Sequence, residues 1–316
     1  MKDVIRVLDS MTGAGQTAGM SVTSRRWAAL LALSAVSLAA CSAPAPAPPP
    51  AAASPVAPAA SADFEQLERA FGARVGVYAV DTATGREVAF RADERFAYAS
   101  THKVFSAGGV LQRTPITELD RTVTYGKQDL VVNSPVTEKH VATGLPLRAV
   151  MDATLRYSDN TGGNLLFREL GGPEGLNAVF RRIGDTTSHA DRIEPELNDT
   201  FPGDLRDTST PRALAVSLRA FALGDALPED KRKILVDMMR ANTTGDQNIR
   251  AGVPGWAVAD KTGTAAYGTR NDIGVVWPPN RAPIVVSVLT DRPDKDAEID
   301  NKLLADATAA AMKALP

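Results

Sequence analysis

Apolar positions recur at helical spacing through the middle of the chain and alternate, or run together, toward its two ends. In residues 64–71, Phe64, Leu67 and Phe71 fall on one helical face. Residues 75–80 and 86–90 read as two strands, with Asp81, Thr82, Ala83, Thr84 and Gly85 as the turn-rich loop of a hairpin. From about 100 to 240 the pattern is mostly helical with Gly and Pro breaks, clearest at 147–156, 175–183, 211–222 and 231–239. Strand patterns return at 257–261, 272–277 and 284–289, and an amphipathic helix over about 298–315 follows. Strand-rich ends around a helical middle predict an α+β fold with a discontinuous sheet domain (62–90 and 241–316) and an inserted helical domain (91–240). No internal repeat is present.

The first 61 residues read as outside that fold. Ser24, Arg25 and Arg26 give a positive start, and residues 27–40 form an apolar run of signal-peptide length, too short to span a bilayer. Leu38, Ala39, Ala40 and Cys41 resemble a lipobox, in which the cysteine is acylated and becomes the new N-terminus. A plain signal peptide with an incidental cysteine is the alternative, and the paired arginines also fit a twin-arginine export signal. Met20 lies just upstream of the pair, so it is a second possible start. Residues 42–61, almost all Ala, Pro and Ser, read as an extended spacer, with order beginning near Asp63. An exported protein, extracellular or periplasmic and held to the membrane through Cys41, is the expectation.

Composition narrows the chemistry. In 316 residues, 44% are hydrophobic and 23% charged, as in ordinary globular proteins. A formal net charge of -2 gives no broad basic field for nucleic acid. Cys41 is the only cysteine, so no intramolecular disulfide can form. His102, His140 and His189 lack metal-ligand spacing, so no metal or organic cofactor is implied.

Four short elements carry the candidate chemistry. Ser100, Thr101, His102 and Lys103 open a helical pattern, and i, i+3 spacing puts Lys103 one turn from the Ser100 hydroxyl. A serine needs a nearby base to be nucleophilic, and a desolvated lysine can serve. Alone the pair is weak, because Ser-x-x-Lys arises by chance roughly once in a chain of this length. Ser158-Asp159-Asn160 lies between two helices, and Lys261-Thr262-Gly263 ends a strand pattern and continues to Thr264. Separately these read as polar turns. The fourth element is Arg192-Ile193-Glu194-Pro195-Glu196-Leu197-Asn198.

Ser-x-x-Lys, Ser-Asp-Asn and Lys-Thr-Gly in this order form the set shared by class A β-lactamases and penicillin-binding proteins. From about residue 62 the chain resembles the class A family, and the segment around Glu194 resembles that family's omega loop, here about 191–207. The resemblance implies an antiparallel sheet flanked by N- and C-terminal helices plus an all-helical insertion. It implies hydrolysis of penicillin- and cephalosporin-like antibiotics through a serine acyl-enzyme, by a monomer with no partner beyond its small-molecule substrate. By the same resemblance Ser100 attacks the lactam carbonyl, and either Lys103 or Glu194, through water, removes its proton. Backbone N–H groups of Ser100 and Thr264 form the oxyanion hole. Ser158 passes a proton to the departing nitrogen, and Asn160 binds the substrate's side-chain amide. Lys261, Thr262, Gly263, Thr264 and Arg270 gather near the substrate carboxylate, which a planar guanidinium suits. Glu194 activates the hydrolytic water and Asn198 helps position it. Arg192 and Asp207 tie the loop ends.

Three positions depart from the family pattern. Ala99 stands where some relatives carry cysteine, Asn133 where most carry an aromatic, and His102 where small or apolar residues are usual. His102 reads as a packed residue rather than a catalyst. The competing readings are a penicillin-binding D,D-peptidase and a β-lactam sensor, both of which acylate without fast deacylation. Glu194 and Asn198 argue against them.

Overall fold

The computed structural model describes residues 58–315; the stretch read from the sequence as an export signal, and Cys41 with it, lie outside them. Helix α1 (Pro58–Phe71) leads into strands β1 (Arg74–Asp81) and β2 (Glu87–Phe90). Short strands follow: β3 (Phe96–Ala97), β4 (Thr122–Val123), β5 (Leu145–Pro146) and β6 (Thr208–Ser209). Among them run α2 (His102–Arg113), α3 (Leu147–Arg156), α4 (Asn160–Leu170) and α5 (Pro173–Arg182). Then come α6 (Pro211–Ala222), α7 (Glu229–Arg240) and the single turn α8 (Ile249–Gly252). Strands β7 (Ala257–Ala265), β8 (Thr269–Trp277) and β9 (Ile284–Asp291) precede α9 (Asn301–Ala314).

The main sheet has the order β2-β1-β9-β8-β7, and every pair is antiparallel. Because β9 pairs with β1, the late strands join the early hairpin and the helices between them stand as an insertion in the chain. Side chains alternate between the two sides of the sheet, and the inner strands β1, β8 and β9 are buried on both. Val75, Val77 and Ala79 of β1 join Val286 and Val288 of β9 and Leu303, Leu304 and Ala307 of α9 in one core. Tyr78, Val80, Ile273 and Val285 face the other way, into a larger core shared with α2 to α7. At its centre α2 is buried from His102 to Leu111. Its Phe105 ring lies 5.3 Å from Phe180 and 6.3 Å from Phe221.

Several boundaries moved for identifiable reasons. α1 begins at Pro58, inside the stretch read as spacer, because an Ala-rich run with Pro in the first turn favours helix. α9 begins at Asn301 rather than near 298, since Asp300 caps it by accepting from Lys302 N at 2.9 Å. β7 does not stop at Lys261: Thr262, Gly263, Thr264 and Ala265 continue the ladder against β8. The Lys-Thr-Gly motif therefore lies within a strand and is not a turn.

Candidate active site

Ser100 sits in a 3₁₀ turn (Ala99–Thr101) that runs directly into α2. Ala99, just before it, holds φ 48, in the left-handed region that costs an alanine energy and is sustained only by its surroundings. The three-residue spacing delivers the expected contact: Lys103 Nζ donates to Ser100 Oγ at 2.9 Å. Lys103 has no exposure and also donates to Ser158 O at 2.9 Å and Asn160 Oδ1 at 2.6 Å. Its fourth neighbour is Glu194 Oε1 at 3.0 Å. Burial pulls the Lys103 ammonium below its ordinary pKa, and the Glu194 charge opposes that pull. Ser100 Oγ lies 3.4 Å from the same Glu194 oxygen.

Glu194 is carried by a loop closed at its base. Arg192 Nε donates to Asp207 Oδ2 at 2.6 Å, and the backbone N–H groups of Asp191 and Arg192 donate to Asp207 Oδ1 at 2.8 and 3.0 Å. The β3–β6 ladder pins the end of the loop to the segment just before Ser100. Asn164 of α4 then brackets Glu194: its Oδ1 accepts from Glu194 N at 2.9 Å, and its Nδ2 donates to Glu194 O at 2.7 Å. Asn198 Nδ2 donates to Glu194 Oε2 at 2.6 Å. Burial pushes the Glu194 pKa up, but the Lys103 ammonium and the His102 bond outweigh it, so the carboxyl is held well below its ordinary range.

The Ser158-Asp159-Asn160 turn is built around Asp159. Its carboxylate caps α4 by accepting from Gly162 N at 2.8 Å. It also accepts from Val136 N and Thr137 N, each at 2.9 Å, so it ties the 132–138 segment to the turn. Ser158 holds φ 57, and its Oγ accepts from Lys261 Nζ at 3.0 Å. Asn160 Nδ2 donates to Val132 O at 3.0 Å, which leaves one N–H of that amide for another acceptor.

β7 and β8 form the opposite wall. A Cβ on Gly263 would lie 2.8 Å from Tyr98 O and 3.2 Å from Ser100 N, so only glycine lets the strand pass this close to the serine. Lys261 is fully buried, and burial together with Lys103 and Arg270 lowers its pKa well below the ordinary value. Arg270 is aimed by three bonds: to Asn301 Oδ1 (2.8 Å), Thr264 Oγ1 (2.9 Å) and Thr244 O (3.0 Å). Thr244 Oγ1 and Thr262 Oγ1 are 2.6 Å apart.

Between the walls lies a cleft of about 700 Å³. Ser100, Ser158, Asn160, Asn198, Thr262, Gly263, Thr264 and Arg270 line it, as does Asn133. Lys103, Lys261 and Glu194 are buried behind them. All eleven site residues named from the sequence thus fall in or against one cleft; Cys41 is outside the described residues. Sequence reasoning missed Asn164, Thr244 and the capping role of Asp159. Asn164 follows Asn160 by one helical turn, a spacing that could have flagged it; Thr244 carries no local signal. His102 is packed, as expected, but its ring also reaches Glu194.

Comparison with known proteins agrees with this geometry. The family model described as "Beta-lactamase enzyme family" matches residues 59–315. A "Beta-lactamase" of Amycolatopsis lactamdurans is 56% identical over 84% of this chain and 88% of its own. Another, of Bacillus licheniformis, is 51% identical over 92% and 95%. A crystal structure of a class A beta-lactamase from Clostridium kluyveri superposes with a TM-score of 0.79 at 46% identity, covering 81% of this chain and 98% of that one. The chain belongs to the beta-lactamase enzyme family, is a hydrolase, and has the α+β fold of class A members.

Proposed function

We propose that this β-lactamase opens the lactam ring with Ser100 and frees itself with Glu194. The observation that carries the reading is the triangle of Ser100 Oγ, Lys103 Nζ and Glu194 Oε1, with sides of 2.9, 3.0 and 3.4 Å. A hydroxyl flanked by an amine and a carboxylate has a route for its proton whichever of the two takes it. Backbone N–H groups of Ser100 and Thr264 receive the developing oxyanion. Ser158, which touches both Lys103 and Lys261, passes the proton to the leaving nitrogen. The free N–H of Asn160 takes the acylamide carbonyl of the substrate. Arg270, Lys261, Thr262 and Thr264 hold its carboxylate, and Gly263 gives the strand its close approach.

Deacylation needs a base for water, and Glu194 with Asn198 supplies it. Its site supports turnover rather than the stable acylation of a peptidase or sensor. No organic or metal cofactor enters this scheme, and the protein acts as a monomer. Hydrolysis of a chromogenic cephalosporin by the purified protein, lost in Ser100→Ala, tests the assignment; persistent hydrolysis in that variant would refute it.

The same proposal includes export and anchoring through Cys41, with residues 42–57 as spacer. Two acyl chains on one cysteine suffice for stable membrane attachment. Cys41→Ala should move the enzyme from the detergent phase to the aqueous phase; wild-type protein already wholly aqueous would refute the anchor.

A further inference from the structure

Three groups reach one oxygen of Glu194. Lys103 Nζ is 3.0 Å from Oε1, Ser100 Oγ 3.4 Å and His102 Nε2 3.5 Å. The first two have roles in the proposed chemistry; His102 has none. Yet His102 has no solvent exposure, and a buried imidazole is costly unless its nitrogens are used. Its ring stacks on Phe167 at 5.0 Å and 26° and tilts against Tyr98 at 5.8 Å. Nδ1 is 3.2 Å from Ser106 Oγ, one helical turn along α2.

These contacts assign the tautomer. A neutral imidazole offers one N–H and one lone pair, and an ionised carboxylate only accepts. Nε2 therefore carries the proton toward Glu194, and Nδ1 accepts from the Ser106 hydroxyl. We infer that His102 is a positioning residue, whose Nε2–H holds Glu194 Oε1 in place while the acyl-enzyme is hydrolysed. This rests on the reading of Glu194 as the deacylation base.

Timing gives His102 its specific task. Before acylation, the Ser100 hydroxyl can donate to Oε1. Once Ser100 is acylated, that proton is gone and Oε1 loses a donor. The Lys103 ammonium is shared with Ser158 O and Asn160 Oδ1. His102 on Oε1 and Asn198 on Oε2 (2.6 Å) then clamp the carboxylate from two sides. The charged groups around this pair are Lys103 on the same helix, Asp207 at the loop end and Asp159 before α4. Burial keeps the His102 pKa below its ordinary value despite the bond to Glu194. His102 is thus neutral at pH 7 and donates without adding charge.

The experiment separates acylation from deacylation by stopped flow and quench with benzylpenicillin across pH, on the full protein. His102→Phe keeps a ring on Phe167 and removes the N–H. Deacylation should slow roughly ten-fold, as for losing a hydrogen bond to a charged group, with acylation within about two-fold. The acid limb of deacylation should move up by about one pH unit, because a lost donor disfavours the ionised carboxyl. His102→Gln returns an amide N–H at similar reach and should recover most of the rate and the limb. Ser106→Ala, which frees the tautomer, should slow deacylation more mildly, and it decides the matter if His102→Phe does not fold. An unshifted acid limb with both steps reduced equally would overturn the inference and leave His102 as packing. Wild-type deacylation in His102→Phe, or in Ser106→Ala where that variant decides, would overturn it too. If Glu194→Gln deacylates normally, the base assignment itself falls, and the inference with it.

Discussion

Lys103 Nζ and Glu194 Oε1 stand 3.0 Å apart with no solvent exposure on either side chain. A buried pair of opposite charges offsets its own desolvation only in good geometry, and here each partner is also hydrogen-bonded to the site. The ammonium thus serves the serine and the carboxylate together.

That pairing sets the response to acid. The folded-state pKa of Glu194 lies below the unfolded one, so its stabilising contribution is fully present above about pH 4.3 and is lost as pH falls through the lowered value. The acid limb of kcat from Glu194 should accordingly lie below pH 4.3 or so. A kcat profile on benzylpenicillin, with folding followed by circular dichroism, checks it. A limb near pH 6 in the folded protein would mean that Glu194 is not held ionised by Lys103.

The tie at the base of the loop should matter to rate as well as stability. Asp207 is buried and accepts from Arg192 Nε and two backbone N–H groups. Asp207→Asn turns an N–H₂ toward those donors and takes the 2.6 Å carboxylate partner from Arg192 Nε, leaving Asp204 at 3.9 Å as the nearest charge. Breaking such a pair costs about 3 kcal/mol or more. Thermal melting should fall by several degrees and kcat should drop more than KM rises, since Glu194 hangs on this loop. Unchanged melting and kcat would show that Asn164 alone suffices to hold Glu194.

At the rim, Asn133 is exposed and lines the cleft, at the position where the family resemblance leads one to expect a ring. It holds φ 60, which asparagine tolerates better than most residues. A tyrosine there would add roughly 40 Å² of apolar contact with substrate, worth about 1 kcal/mol, or about five-fold in affinity. Asn133→Tyr should therefore lower KM for benzylpenicillin several-fold with kcat little changed. An unchanged or raised KM would mean that the left-handed backbone turns the ring away, or that another side chain already fills the gap.

Much of this was legible in the chain. Helices 147–156 and 211–222 were readable to their ends because apolar spacing, a proline at the first position of α6 and polar flanks all agree. Ser100 and Lys103 were readable because three-residue spacing is a local fact. The strand was readable as far as Lys261 but not through Thr262, Gly263 and Thr264, since these residues serve the site and break the apolar alternation that marks β7. Thr244 reaches the site only through tertiary packing, whereas Asn164 shares α4 with Asn160 and its one-turn spacing was a local signal left unread. His102 looked like filler because its partner Glu194 is 92 residues away.

The most direct measurement follows the acyl-enzyme itself. Wild type and Glu194→Gln would be mixed with benzylpenicillin and sampled by intact-mass spectrometry, with Ser100→Ala as control. In Glu194→Gln the water loses its base while Ser100 keeps Lys103. One penicilloyl adduct per chain should accumulate, with deacylation slowed roughly 100-fold or more, and Ser100→Ala should show no adduct. Wild-type turnover in Glu194→Gln, or an adduct on Ser100→Ala, would contradict the assignment of these two residues.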